Sequence, residues 1–474
     1  MNPTSKVQPA PAWPAGVLGA ILGLAILKLG NPVILEDQIG SPMTPEDWIS
    51  QPWPPRTGRW WLLALVLAMA PLPGIWRAVR DGLRPRWLWL PPLAWLAWQA
   101  WSALGTVDPK LTSATLPHLG TVALAFALGV ACARLRPLPV LLGVGLASGF
   151  CWLKAVNQRT VEFPRDRDAL VQGEQSGWTN FTASQVADLR ASGFILRTNN
   201  VDVANPAILD KLTRARVHGT LVYPNALAGL VLLVFPVALG ALWPLMQGAR
   251  PWVRWAAMGV LPGLAGTSLW WSGSRSGWLI ALAGLVATAW IVPGLRRWRM
   301  GVACVVIAGG LGVFVARNAG YLGKGATSAT ARLDYWKAAV QATAERPWTG
   351  HGPGTFMRPY GRLKAPESEM ARLVHNDYLE QFCDSGIPGG VAYLAWVGSA
   401  LWVAWARHRH GRSSWMTGLL VGTTAWLAQG LSEFGLYVPA LAWTGFAFLG
   451  WLAAAGELPS TPPWDGSKTS TANA

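Results

Sequence analysis

The sequence predicts an all-α, polytopic membrane protein of about twelve transmembrane helices, with two long loops on one side. Three observations carry that reading. Hydrophobic residues make up 52% of the 474 positions and charged residues 13%, too little charge to cover a soluble chain of this length. Apolar stretches of about the 20 residues needed to cross a bilayer recur along the chain. Basic residues gather on every second connection between those stretches.

The stretches fall near 14–35, 59–76, 87–105, 115–133, 137–156, 219–246, 253–271, 276–294, 300–318, 386–406, 415–432 and 437–455. No small-residue cleavage site follows the first, so it reads as a retained span and not as a signal peptide. Lys28 inside it is expected to snorkel to the outer interface. Arg77, Arg80, Arg84 and Arg86 lie between the second and third stretches, and Arg134 and Arg136 between the fourth and fifth. Arg250 and Arg254 follow the sixth, Arg296, Arg297 and Arg299 the eighth, and Arg407, Arg409 and Arg412 the tenth. The short connections on the other side hold little more than Lys110 and Arg275. The positive-inside rule then places both termini in the cytoplasm and the loops 157–218 and 319–385 outside.

The predicted order is five helices in 1–156, a long loop in 157–218, helices six to nine in 219–318 and a second long loop in 319–385. Three more helices in 386–455 and a disordered cytoplasmic tail in 456–474 complete it. The net charge of +16 thus reports topology and not nucleic-acid binding. No glycine-rich nucleotide-binding motif occurs, and no Cys/His spacing suggests a metal site. An outward-facing site has no access to ATP or nucleotide sugars. Chemistry there needs a donor that arrives activated, in practice on a lipid.

The densest motif lies at the end of the second loop: His375-Asn376, nine residues, then Gly386-Ile387-Pro388-Gly389. An imidazole can accept a proton near neutral pH. Asp377 to Ser385 reads as a short helix with Leu379, Phe382 and Cys383 as its apolar stripe. Asp377, Glu380, Gln381 and Asp384 face elsewhere, and the glycines end that helix. Three outward arginines accompany the motif. Arg216 precedes Gly219 and Pro224-Asn225 at the start of the sixth stretch, with Arg214 as the alternative register. Arg275 sits in the Ser272–Trp278 connection, and Arg332 opens a helix striped by Leu333, Trp336 and Val340. An arginine in so short a connection is costly unless it is paired or binds an anion. Phosphate suits the fixed fork of a guanidinium. Glu433, at the outer end of the eleventh stretch, is the candidate acid to orient His375 or an arginine. Trp278, Trp336 and Tyr378 read as interface anchors that also suit packing on lipid or sugar.

Arg-x-x-Gly with Pro-Asn following, Ser-Arg-x-x-Trp between spans, Arg-x-x-x-Trp in the loop and His-Asn-x9-Gly-x-x-Gly resemble the O-antigen ligase and polymerase family. The likeness is best over 216–390. It implies a lipid-dependent, GT-C-like glycosyltransferase of the bacterial inner membrane, inverting, without metal or cofactor, working at the periplasmic face. By position, His375 is similar to the family's essential histidine, and Arg216 and Arg275 to its diphosphate-binding arginines. Arg332 joins them as a third candidate. Asp384 stands where the family often has Glu, with Asn225, Asn376, Glu433, Gly386 and Gly389 in support. The implied partners are an undecaprenyl-diphosphate-linked glycan as donor, a lipid A-core, growing glycan or protein as acceptor, and membrane lipid. Ligase and polymerase both remain open, since Val391 and Ala392 follow Gly390 where ligases commonly continue Thr-Thr. The competing class is a transporter or flippase of a lipid-linked or anionic substrate. It calls for mid-membrane ionisable residues and related halves, and the sequence shows neither.

Overall fold

The computed structural model describes residues 13–71, 82–133, 137–198, 200–323, 327–408 and 413–454. Every one of the twelve apolar stretches carries helix, from Trp13–Lys28 and Arg59–Met69 at the start to Ser414–Gln429 and Pro439–Ala454 at the end. Among the described residues, five helical runs are long and apolar enough to cross a membrane, and Trp13–Lys28, Arg275–Ile291 and Pro439–Ala454 are shorter apolar helices. The chain is a helical, multi-pass membrane protein. Arg77, Arg80, Arg134, Arg136, Arg409, Arg412 and the 456–474 tail lie outside the described residues.

Burial divides the helices by environment. Pro439–Ala454 is buried along its entire length, as a helix that is apolar all round should be. It packs most extensively on Pro109–Cys132, and small residues permit the close approach: a Cβ on Gly129 would lie 2.0 Å from the Ala447 carbonyl oxygen. Pro224–Leu245 pairs with Ser414–Gln429, Trp13–Lys28 with Leu138–Asn157, and Leu90–Leu104 with Asp377–His408. At the other extreme, the helical run Arg299–Gly320 exposes Met300, Val305, Ile307, Leu311, Val313 and Val315. That is a lipid-facing surface, because water would not tolerate so long an apolar strip.

The six connections assigned to the outside meet at one end of the bundle. Lys110 Nζ pairs with Asp37 at 3.0 Å, and Arg358 Nη2 with Asp108 at 2.6 Å. Arg216 donates to the Ser272 carbonyl at 2.5 Å, Arg275 to Ser328 Oγ at 3.3 Å, and Arg332 pairs with Glu433 at 2.5 Å. At the opposite end Arg407 donates to the carbonyls of Arg84 and Ala453, and Ser414 Oγ to that of Gly240 at 2.7 Å. Lys28 does more than snorkel. It donates to the Ile49 carbonyl and, at 3.2 Å, to that of Gln51, closing the connection between the first two apolar helices.

The two long loops are folded. The helix Leu138–Asn157 runs on through a wider turn at Gln158–Glu162 into Phe163–Gln175. Helices Ala183–Ala191 and Pro206–Thr213 then flank an antiparallel hairpin, Ile195–Thr198 with Val201–Ala204. This hairpin is the exception to an all-α chain among the described residues. The unit has its own small core of Leu170, Trp178, Ile195 and Ala204. In the second loop, helix Thr327–Glu345 buries Ala338, Ala339 and Ala342, while Leu333 and Val340 of the expected stripe are exposed. Small side chains let this helix lie close to Phe356, Tyr360 and Cys383.

Candidate active site

The His motif is held by its polar residues, all of them buried. Asn376 caps the helix Asp377–His408, its Oδ1 accepting from the backbone N–H groups of Tyr378 and Leu379 at 3.0 Å each. Such a cap satisfies amides that the first helical turn leaves unpaired. Glu380 reaches back to the Val374 N–H at 2.6 Å. Between these ties His375 is forced to φ 55°, a left-handed backbone that costs a non-glycine residue on the order of 1–3 kcal/mol and clusters at functional sites.

Asp377 accepts from the Leu436 N–H at 3.1 Å and its own N–H donates to the Gly430 carbonyl at 2.7 Å. The loop carrying Glu433 is thereby fixed against the loop carrying His375. Gln381 and Asp384 complete the buried face. Gln381 accepts from Trp95 and Gln99 at 2.9 and 2.8 Å, and Asp384 accepts from the Gly354 N–H at 2.8 Å and from the Tyr437 hydroxyl. The helix then breaks at Ser385 and Gly386. Gly386 has φ 70°, and a Cβ there would stand 2.6 Å from the Pro347 carbonyl oxygen. Gly389 packs against Ser385 and Trp98. Asp384 and Gly386 thus bind the motif to the Pro347–Phe356 segment.

Glu433 is the hub of the charged cluster. Its Oε1 accepts from Arg332 at 2.5 Å and from Asn225 Nδ2 at 2.7 Å, and its Oε2 lies 3.6 Å from His375 Nδ1. That Nδ1 is buried and has no hydrogen-bond partner among the described residues. The His375 side chain is nonetheless 30% exposed against 6% for Glu433, so the imidazole is reachable while its carboxylate is enclosed. Phe434 stands edge-on to the His375 ring at 4.8 Å and Tyr335 lies 5.9 Å away on a tilt.

The arginines join this hub in one chain of contacts. Arg216 donates through Nη2 to Asn225 Oδ1 at 2.5 Å and through Nε to the Ser272 carbonyl. Its hydrogen bonds among the described residues thus go to neutral acceptors. Burial pushes the Arg216 guanidinium down from its ordinary value; Glu433 opposes this, and Arg275 and Arg332 add to it. Gly273, at φ 60°, leaves room for that side chain, since a Cβ there would sit 3.1 Å from Arg216 Nε. Ser274 then caps the helix that begins at Arg275. Arg275 donates to Asn318 Oδ1 at 3.0 Å and to the Ser328 hydroxyl, while Arg332 reaches the Ser328 carbonyl at 3.5 Å. Arg214 is instead exposed, paired with Asp210 at 2.9 Å, so Arg216 is the register that enters the cluster.

Asn318, Ser328, Tyr335 and Phe434 were not singled out by sequence. Asn318, a polar residue closing an apolar helix, carries a readable signal; the others are positioned by tertiary contact alone. A family model described as O-antigen ligase matches residues 260–394. This stretch is similar to the O-antigen ligase family. The members of that family are enzymes, ligases or polymerases. The matched stretch contains Arg275, Arg332, His375, Asp384, Gly386 and Gly389, whereas Arg216, Asn225 and Glu433 reach the cluster from outside it. No curated protein matches the chain.

Proposed function

We propose that the protein transfers a glycan from an undecaprenyl-diphosphate donor to an acceptor hydroxyl at the outer face of the inner membrane. The observation that carries this is the chain of contacts that links Arg216 through Asn225, and Arg275 through Ser328 and Arg332, to Glu433 beside an accessible His375. The guanidiniums are expected to grip the diphosphate, and fixed donors of this kind stabilise charge that grows as a leaving group departs. His375 removes the acceptor proton as the hydroxyl oxygen attacks the anomeric carbon. The carbon–oxygen bond to the diphosphate breaks, and the lipid diphosphate leaves with the bonding pair. A single displacement inverts the anomeric centre. Glu433 beside Nδ1 keeps a proton on that nitrogen and leaves Nε2 as the base, and a contact of 3.6 Å in the free enzyme is one that substrate binding can tighten. This chemistry serves a ligase or a polymerase equally well; the acceptor is a lipid A-core, a growing glycan or a protein.

The test is transfer in vitro from a purified undecaprenyl-diphosphate-linked glycan, with EDTA present. His375→Ala is expected to lower the rate by roughly a hundredfold or more, the scale of a lost general base, with membrane insertion intact. Loss of wild-type activity in EDTA would refute the metal-free route. Near-normal turnover by His375→Gln would remove His375 as the base.

A further inference from the structure

The helix Pro109–Cys132 carries one imidazole, His118, among buried apolar neighbours such as Leu119 and Val122. Its side chain is buried as well, with Nε2 at 2.8 Å from the Leu436 carbonyl oxygen. Among the described residues its Nδ1 has no hydrogen-bond partner. A carbonyl only accepts, so Nε2 carries the proton. The Leu436 carbonyl needs that donor. It lies just before the helix Pro439–Ala454, so position i+3 is a proline, which has no N–H. At i+4 the Ala440 N–H turns to the Leu29 carbonyl at 3.2 Å. A buried carbonyl left unmet is costly, and His118 meets this one from 318 residues away in the chain. An apolar side chain would fill the same space and strand the carbonyl.

We infer that His118 is a positioning residue for the transfer, acting through the segment 430–437 that carries Glu433. The inference rests on the role given above to Glu433. That segment is an arch held at both ends. At one end the Gly430 carbonyl accepts from the Asp377 N–H at 2.7 Å. At the other the Leu436 N–H donates to Asp377 at 3.1 Å, while the Leu436 carbonyl accepts from His118. Glu433 and Phe434 stand between the two ends. Glu433 Oε2 is 3.6 Å from His375 Nδ1, and Phe434 meets the same ring edge-on at 4.8 Å. Asp377 belongs to the His375 motif itself, so its two bonds join arch and motif without referring either to the bundle. His118 supplies that reference, because its helix packs along Pro439–Ala454, the helix into which the arch runs. Loss of the donor releases the Leu436–Tyr437 peptide, and rotation there carries Glu433 away from His375.

The experiment follows undecaprenyl diphosphate release by the full-length protein in nanodiscs, alongside thermal unfolding. The lipid-linked glycan is the donor, and also the acceptor of a polymerase; lipid A-core is added as the acceptor of a ligase. His118→Leu should lower the rate about tenfold or more, since a misplacement of about 1 Å can cost up to a hundredfold. His118→Gln puts an amide N–H where Nε2 stands and should stay within about threefold of wild type. His118→Asn is too short to reach Leu436 and should match His118→Leu, which it replaces if the leucine variant does not fold. In a Glu433→Gln background the Leu and Asn changes should cost less than about twofold more, because residues that act through one another are not additive. A full further tenfold loss in that background would overturn the inference. So would wild-type rates for His118→Leu and His118→Asn, or a His118→Gln variant that melts normally yet is as slow as His118→Asn. Wild-type turnover by Glu433→Gln would instead overturn the role of Glu433, and no release by the wild-type protein would overturn the transferase reading itself.

Discussion

Replacing Glu433 by Gln separates the two jobs of this carboxylate. Its Oε1 accepts from Arg332 and Asn225, so the amide oxygen of the variant must stay on that side, because an amide nitrogen there would face two donors. The new NH2 then points at His375 Nδ1, which Oε2 approaches to 3.6 Å in the native protein. A donor facing Nδ1 compels that nitrogen to accept and moves the ring proton to Nε2, the wrong tautomer for a base. The bond from Arg332 also ceases to be charge-assisted on its acceptor side, a loss of about 1–1.5 kcal/mol. Transfer should therefore fall by about a hundredfold, within the range of a disabled general base, while thermal stability drops only modestly. Glu433→Ala differs: it strands a guanidinium that is 22% exposed, and breaking such a pair costs on the order of 3–5 kcal/mol. The assay is initial rate of transfer alongside thermal unfolding of the same preparations. Wild-type turnover by Glu433→Gln would show that Glu433 merely neutralises Arg332, and the tautomer argument would be wrong.

Arg275→Lys should weaken donor binding by roughly tenfold although charge is kept, since an ammonium cannot span Asn318, Ser328 and a phosphate together; unchanged donor affinity would reduce Arg275 to a structural link. Ala365→Cys, at an exposed position of the second long loop, should react with an impermeant maleimide from the periplasmic side, and labelling from the cytoplasm alone would reject the orientation. Gly386→Ala should destabilise the protein by more than about 2 kcal/mol, through left-handed strain and the collision with Pro347; a variant with native melting behaviour would show that the break tolerates a side chain.

Hydropathy found the helices because lipid acts on each span separately, and a run such as Pro439–Ala454 declares itself without knowledge of its neighbours. His375 and the arginines were legible by residue type and spacing. What periodicity missed depended on partners far away in the chain. Asp384 and Gln381 look like solvated helix positions, yet their partners are Tyr437, Gly354, Trp95 and Gln99. Leu333 and Val340 look like the core-facing stripe, but the alanines win because only they admit a neighbouring helix closely enough. In the first loop, the Thr182 cap on Gln185 and Asn200 at φ 63° were readable signs of a helix and a tight turn. They mark a folded unit within what composition alone presents as a polar connection.

The division of the charged cluster among three separated stretches has a consequence for exchange between relatives. A graft of 260–394 into another scaffold carries the imidazole and two guanidiniums, but leaves behind the carboxylate that Arg332 pairs with and that faces His375 Nδ1. Unless the host supplies an acid at the position of Glu433 and an amide at that of Asn225, the transplanted arginines would repel one another in a half-buried space. Inheritance of the activity is then joint: drift at Glu433 is tolerable only together with change at Arg332 or Asn225. Chimeras that break at 394 should be inactive, and those that carry the stretch from 216 through 437 as one cassette should work.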